Sequence, residues 1–300
     1  MIHENSPQST NHIFMIEPRL FRSNPETLPT NNYQHKDDKD DAVIQKLALE
    51  EFRAFRDLLI EHDVIVTTVK GQENCPDDIF PNWFSTHYGE HGGRLILYPM
   101  STPNRQAERR NDVIKLLKKT YKDVQDFSLN EQLGKSLEAT SVLVLDRVHK
   151  IAYQIRSNRA NDEVAGQWAD MNGYKLIRFD TDYKGKPVYH ADVVLWIGTD
   201  VAGVASECLI KDDIVKHLKA RRDVIEFSNE QKAAFCGNSL EVLSNQGERM
   251  LVMSDAGYNT LNDVQKMALG KHYKTIIKPK IPTIEYYGGG SVRCMLCELF

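Results

Sequence analysis

Residues 141–179 read SVLVLDRVHKIAYQIRSNRANDEVAGQWADMNGYKLIRF. Two apolar runs, over 141–145 and 150–155, are joined by the polar turn Asp146-Arg147-Val148-His149 and predict a pair of strands. A helix over 161–171 and a strand over 174–179 follow. The same layout returns after Asn238, with strands over 241–243 and 249–253, a helix over 259–269 and a strand over 274–277. A plain doubly wound sheet alternates single strands with helices, so paired strands ahead of each helix fit it poorly. Repetition of a supersecondary unit points instead to a propeller or array, and five units of about 60 residues would fill the chain.

Upstream, 12–16 reads as a buried strand stopped at Glu17-Pro18. Ile44, Leu47, Leu49, Phe52, Phe55, Leu58 and Leu59 fall near helical spacing over 42–61, and strands are predicted over 64–66, 94–98 and 192–197, with a helix over 111–121. Residues 1–11 are rich in Ser, Asn and Gln and read as a disordered leader to one α/β domain over 12–300. The stretch 23–41, with its prolines, asparagines and the run KDDKDD, is a long surface loop, either a lid or a solvated connector.

Lys and Arg total 38 against 42 Asp and Glu, a formal charge of −4. That balance argues against a general polyanion binder, so no nucleic-acid partner is expected. No apolar run approaches a membrane span, and MIHENSPQSTNH lacks a signal core. Five scattered cysteines suit a reducing, cytoplasmic setting better than a disulfide framework. Homo-oligomerisation is left open.

The residues that carry chemistry lie at strand ends. Gly288-Gly289-Gly290-Ser291-Val292-Arg293-Cys294 sets a cysteine after a flexible glycine run near the chain end. A thiol becomes a nucleophile when charge or dipoles stabilise its thiolate, although most free cysteines are simply small buried residues. Cys294 and Cys297 form a lone CxxC with no second pair, a weak zinc signal. Among ten histidines His190 stands out, because it begins an apolar strand with Asp192 two residues on, and residues two apart in a strand share a face. Glu138 likewise opens a strand in LEATS. Asp77 sits in the dense stretch CPDDIFPNW, with Asn82 just before Trp83. A cysteine, a histidine and several carboxylates are the parts of a thiol-dependent site.

Taken in order, PDDIFPNW around Asp77, Tyr98-Pro99-Met100 with Asn104-Arg105-Gln106-Ala107-Glu108-Arg109-Arg110, Leu137-Glu138, Tyr189-His190, Phe235-Cys236-Gly237-Asn238 and the terminal GGGSVRCM resemble the guanidino-group-modifying, or pentein, superfamily. Within it they look most like the citrulline-utilisation hydrolase, amidinotransferase-like branch. The resemblance implies a five-bladed α/β propeller of ββαβ units with its site in the central channel. It implies Cys294 as nucleophile, His190 as general acid/base and Glu138 as its carboxylate partner. Asp77 and Asp192 would hold the substrate's planar nitrogen group, near Asn82. Arg159, and more weakly Arg105, would take the α-carboxylate. Neither metal nor organic cofactor is implied. Position 192 departs from the branch, whose members often carry Asn there; an acid favours a cationic guanidinium over a neutral ureido group.

The expected reaction is attack of the thiolate on a carbon bearing three heteroatoms, then hydrolysis of a covalent thio-intermediate. Citrulline cleavage to ornithine, carbon dioxide and ammonia is the reading that the branch implies. Arginine or methylarginine hydrolysis and amidino transfer use the same residues. A non-catalytic propeller that binds an amino acid or a protein is the reading from another class.

Overall fold

Burial falls from the first strand of each repeat to the third, and that gradient organises the molecule. The computed structural model describes residues 7–89, 93–211 and 213–300. Its strands are β1 (His12–Glu17), β2 (Ile65–Lys70), β3 (Phe84–His87), β4 (Arg94–Leu97), β5 (Asp123–Asp126), β6 (Leu143–Asp146), β7 (Ile151–Ile155), β8 (Lys175–Phe179), β9 (Leu195–Ile197), β10 (Val201–Val204), β11 (Asp223–Glu226), β12 (Leu240–Leu243), β13 (Arg249–Val252), β14 (Thr275–Ile277) and β15 (Cys297–Glu298). They form five three-stranded sheets, β15-β1-β2, β3-β4-β5, β6-β7-β8, β9-β10-β11 and β12-β13-β14. In each, the first pair is antiparallel and the second pair parallel.

A parallel pair needs a crossover. Helices supply it: α1 (Asp41–Glu61), α2 (Asn111–Leu117), α3 (Asp162–Asn172), α4 (Asp213–Lys219) and α5 (Asp263–His272) each lie between a second and a third strand. In α3 the Asn161 side chain accepts from the backbone N–H of Glu163 and Val164, Gly173 ends the helix at φ 67°, and Val164, Ala165, Trp168 and Ala169 face the sheet. The first strands β3, β6 and β9 are buried at every position, whereas β2 and β5 are only partly buried. First strands also touch one another, β15 with β3, β6 with β9 and β9 with β12. They therefore surround the centre of a five-unit α/β propeller, as the repeat predicts.

The ring is closed by the chain ends. β15 pairs with β1, Phe14 opposite Cys297 and Ile13 opposite Glu298. Arg147 donates to Glu298 at 3.1 Å and lies 4.1 Å over the Phe300 ring. The disordered leader expected over 1–11 is corrected over 7–11. Gln8, Ser9 and Thr10 are buried, and Gln8 donates to the carbonyls of Leu145 and Ile197 while accepting from the Arg147 N–H. A polar segment is ordered here because it satisfies inner-strand backbone groups, which composition does not reveal. Residues 1–6 of that leader lie outside the described residues.

Three local expectations are also corrected. His190 caps a 3-10 turn, Ala191–Val193, ahead of β9 rather than opening a strand. Glu138 precedes a helical turn, Ala139–Val142, with Ala139 at φ 45°. The helix expected over 259–269 is two, Asp255–Thr260 and α5, because Asn262 and Gln265 form a capping box that restarts the chain.

Removing the Arg147 side chain leaves Glu298 buried without its cation. Arg147→Ala should therefore lower stability by about 3 kcal/mol, measured as a shift in the denaturant midpoint at unchanged slope. A shift within experimental scatter would contradict the part given to this closure.

Candidate active site

All five lead-in segments to the first strands deliver a polar side chain to the same end of the channel. Asn82 precedes β3, Glu138 precedes β6, His190 and Asp192 precede β9, Asn238 precedes β12, and Cys294 lies on the 3-10 turn Val292–Met295 ahead of β15. Because second strands run antiparallel to first strands, the segments after them return to that end. Arg105 follows β4, Arg159 follows β7, and 18–40 follows β1. The side chains of Asp77, Asn82, Arg105, Arg159, His190 and Cys294 line one cavity, roofed by Thr27 and Asn31. At about 20 Å3 it has room for on the order of one water.

Glu138 is the hub. Its Oε2 accepts from His190 Nε2 at 2.8 Å, and its Oε1 accepts from Arg159 at 3.0 Å, the Ser101 hydroxyl at 2.6 Å and the Ser101 N–H at 3.2 Å. Burial alone would raise this carboxyl; the charges of Arg159, His190 and Arg105, with the His190 hydrogen bond, overcome that and hold it well below the usual range. An ionised Glu138 fixes the imidazole by its Nε2 edge. His190 Nδ1, the other edge, is buried without a hydrogen-bond partner among the described residues and lies 3.9 Å from Asp192 Oδ1.

The Cys294 thiol donates to Asp192 Oδ2 at 3.5 Å and receives the Asn238 amide N–H at 3.2 Å. Burial and the Asp192 carboxylate push the thiol far up, so it is protonated in the closed cavity. Asp192 is itself raised by burial, with His190 and Arg293 opposing. Cys294 and His190 thus both lie within 4 Å of one carboxylate. Two further buried acceptors, Asp77 Oδ1 and Asp192 Oδ1, make no hydrogen bond among the described residues.

The arginines differ. Arg105 is locked in a fork on Glu108 at 2.9 and 3.0 Å and donates to the Phe80 carbonyl. Arg159 shares itself between Glu138 and the Thr30 hydroxyl at 2.9 Å. The 23–41 loop covers the cavity: Asn24 and Thr27 donate to Asp77 Oδ2 at 2.7 and 2.9 Å, and Asn31 donates to the Gly289 carbonyl. Gly289, at φ 62°, has no room for a Cβ, which would stand 2.5 Å from the Gln34 nitrogen.

Sequence reasoning brought the eight site residues together but gave Asn238 no role. Its amide is fully used: Oδ1 accepts from the Arg293 and Cys294 N–H groups, and Nδ2 donates to the Asp192 carbonyl and to the thiol. It sets the height of the cysteine turn. The signal was present in the motif FCGN, since a Cβ on Gly237 would stand 2.2 Å from the Val193 carbonyl oxygen, which pins this loop against the one bearing His190 and Asp192. The lid residues Asn24, Thr27 and Thr30 carried no such signal.

The fold is that of the guanidino-group-modifying pentein superfamily. Among solved structures the chain is similar to the substrate-bound N-terminal domain of ArgZ, an arginine dihydrolase from the ornithine–ammonia cycle in cyanobacteria, at TM-score 0.73 and 14% identity over 96% of this chain and 97% of that one. It is similar to AgrE with L-arginine at TM-score 0.75 and 14% identity, over 96% of this chain and 40% of that one. A dimethylarginine dimethylaminohydrolase adduct with S-methyl-L-thiocitrulline gives TM-score 0.66 and 18% identity, over 96% and 99%. No curated protein matches the chain. Residues 17–300 match the family described as N,N dimethylarginine dimethylhydrolase, eukaryotic, and the chain belongs to it. The match favours the arginine-type alternative over the citrulline-utilisation branch. Among the described residues no helix is long and apolar enough to cross a membrane.

Asp192 and Asn238 act oppositely on the thiol. Asp192→Asn removes the negative neighbour, lowers the thiol pKa and should speed alkylation of Cys294 by iodoacetamide at pH 7.5 by about tenfold per pKa unit. Asn238→Ala removes the donor and should slow it by a similar factor. Unchanged rates in both variants would contradict this electrostatic reading.

Proposed function

We propose that the chain hydrolyses the guanidino group of a free Nω-methylated arginine, giving citrulline and a methylamine. The observation that carries this reading is a pair of buried acceptors with no hydrogen bond among the described residues: Asp77 Oδ1, on a residue that lines the cavity with Cys294, and Asp192 Oδ1, on the carboxylate 3.5 Å from the thiol. Unpaired buried carboxylate oxygens are costly, and a guanidinium supplies both the N–H donors and the positive charge that they lack. A citrulline ureido group would turn an oxygen toward one of them. Citrulline therefore fits as product, although cleavage of citrulline to ornithine remains the reading that the sequence motifs implied. Membership of the dimethylarginine family supports the methylated substrate.

In this mechanism Arg159 takes the α-carboxylate, because its hydroxyl partner Thr30 belongs to the covering loop and leaves when that loop opens, whereas Arg105 is held by Glu108. Asp77 and Asp192 align the guanidinium. The substrate's charge offsets that of Asp192, and as the substrate seats the Cys294 proton passes to His190 Nδ1, which leaves a thiolate and an imidazolium on either side of that carboxylate. The thiolate adds to the guanidino carbon, forming a C–S bond. His190, its Nε2 edge held by Glu138, protonates the leaving amine from Nδ1 as the C–N bond breaks. A planar thiouronium on Cys294 remains. The now neutral His190 takes a proton from water, the hydroxide adds to the same carbon, the C–S bond breaks to return the thiolate, and the new hydroxyl loses its proton to the released amine as citrulline forms. Ionised Glu138 stabilises the imidazolium at each stage.

Incubation of purified protein with asymmetric dimethylarginine, arginine and citrulline tests the reading. Equimolar citrulline and dimethylamine are expected from the first, with loss of turnover in Cys294→Ser. Turnover of citrulline to ornithine with none of dimethylarginine or arginine would overturn it. Arg159→Lys should raise KM by about tenfold or more with a smaller fall in kcat, since a lysine cannot form the bidentate pair; an unchanged KM would remove Arg159 from carboxylate binding.

A further inference from the structure

A second, larger cavity of about 610 Å3 lies on the other side of the covering loop, within the size range of small-molecule sites. Thr27 and Asn31 face the catalytic cavity, and Asn32, Tyr33 and His35 face this outer one. Its walls are aromatic. Tyr33 stacks on Tyr183 at 6.1 Å and lies 5.3 Å from Phe235, and His35 stacks on Tyr286 at 4.8 Å. Exposed Lys184 and Lys186 and the mostly buried Glu285 also line it.

Glu285 is an acid without a cation. It accepts from the Ser291 hydroxyl at 2.6 Å, and it forms no ion pair among the described residues. Burial, with the nearby carboxylates of Glu51 and Asp255, pushes it up to about 7. A carboxyl in an aromatic-walled cavity suits an organic cation, and two lysines lining the same cavity suit a carboxylate. We propose that this cavity is a second binding site for a free cationic amino acid. Its side-chain cation would lie at Tyr286 and Glu285, since the buried Lys232 already stands over the Tyr33 ring at 5.3 Å, and its α-carboxylate would meet Lys184 and Lys186. The site shares two elements with the catalytic cavity. The covering loop is one wall, and Glu285 holds Ser291, the residue after the glycines that line the catalytic cavity. Occupancy would therefore bear on whether the loop stays shut.

The site is tested by equilibrium dialysis of labelled L-arginine against the Cys294→Ala protein, which does not turn over. The same background carrying Lys184→Glu and Lys186→Glu reverses charge on an exposed hairpin, away from the catalytic residues. The expected result is loss of one molar equivalent of arginine, or at least tenfold weaker binding of that equivalent. Cys294→Ala with Arg159→Ala should keep the equivalent that the lysine changes remove. If the catalytic reading fails, the Cys294→Ala protein binds a single equivalent that is still sensitive to the lysines and insensitive to Arg159. Arginine binding unaffected by the lysine reversals would overturn the second site.

Discussion

Pairing of the last strand with the first is the constraint from which the rest follows. β15 supplies the first strand of a sheet whose second and third strands come from the other end of the chain. Until it docks, the ring has four complete units, and Phe14 and Ile13 lack their antiparallel partners. Cys294 lies on the turn just before that strand, so the register that closes the ring also sets the thiol at the mouth of the channel. Closure and placement of the thiol are one event, and Asn238 couples them by holding both the turn and the loop from the neighbouring unit.

The site is electrostatically incomplete by design of its fold. Glu138 is surrounded by cations and is held ionised, which serves the imidazole. Asp77 and Asp192 keep unpaired oxygens, and the thiol is held protonated by the latter. A cationic planar group resolves all of these together. On the proposed reading, reactivity arrives with the substrate's own charge. The covering loop reinforces this state, since its Asn24 and Thr27 occupy one oxygen of Asp77 and its Thr30 occupies Arg159.

Much of this was legible in the residues, for identifiable reasons. The ββαβ repeat showed in 141–179 because β6, β7 and α3 are long enough and apolar enough to carry a period. The strands Phe84–His87 and Asp123–Asp126 were not, since FSTH and DVQD owe their pairing to neighbours rather than to their own pattern. The convergence of Cys294, His190, Glu138 and Asp77 came from resemblance and from position at element ends. The shared-face argument for His190 and Asp192 reached the right neighbours by the wrong geometry, because a 3-10 turn and not a strand brings them together. Order over 7–11 and the role of the covering loop depend on hydrogen bonds to distant backbone and side chains, which no local pattern encodes.

The central claim is that Cys294 attacks the guanidino carbon and carries it covalently. Mass spectrometry of protein acid-quenched during steady turnover of dimethylarginine tests it most directly. The account predicts an adduct on the Cys294 peptide with the mass of substrate less dimethylamine, absent from Cys294→Ala. Sustained turnover with no adduct at Cys294, or with the adduct on another cysteine, would contradict it.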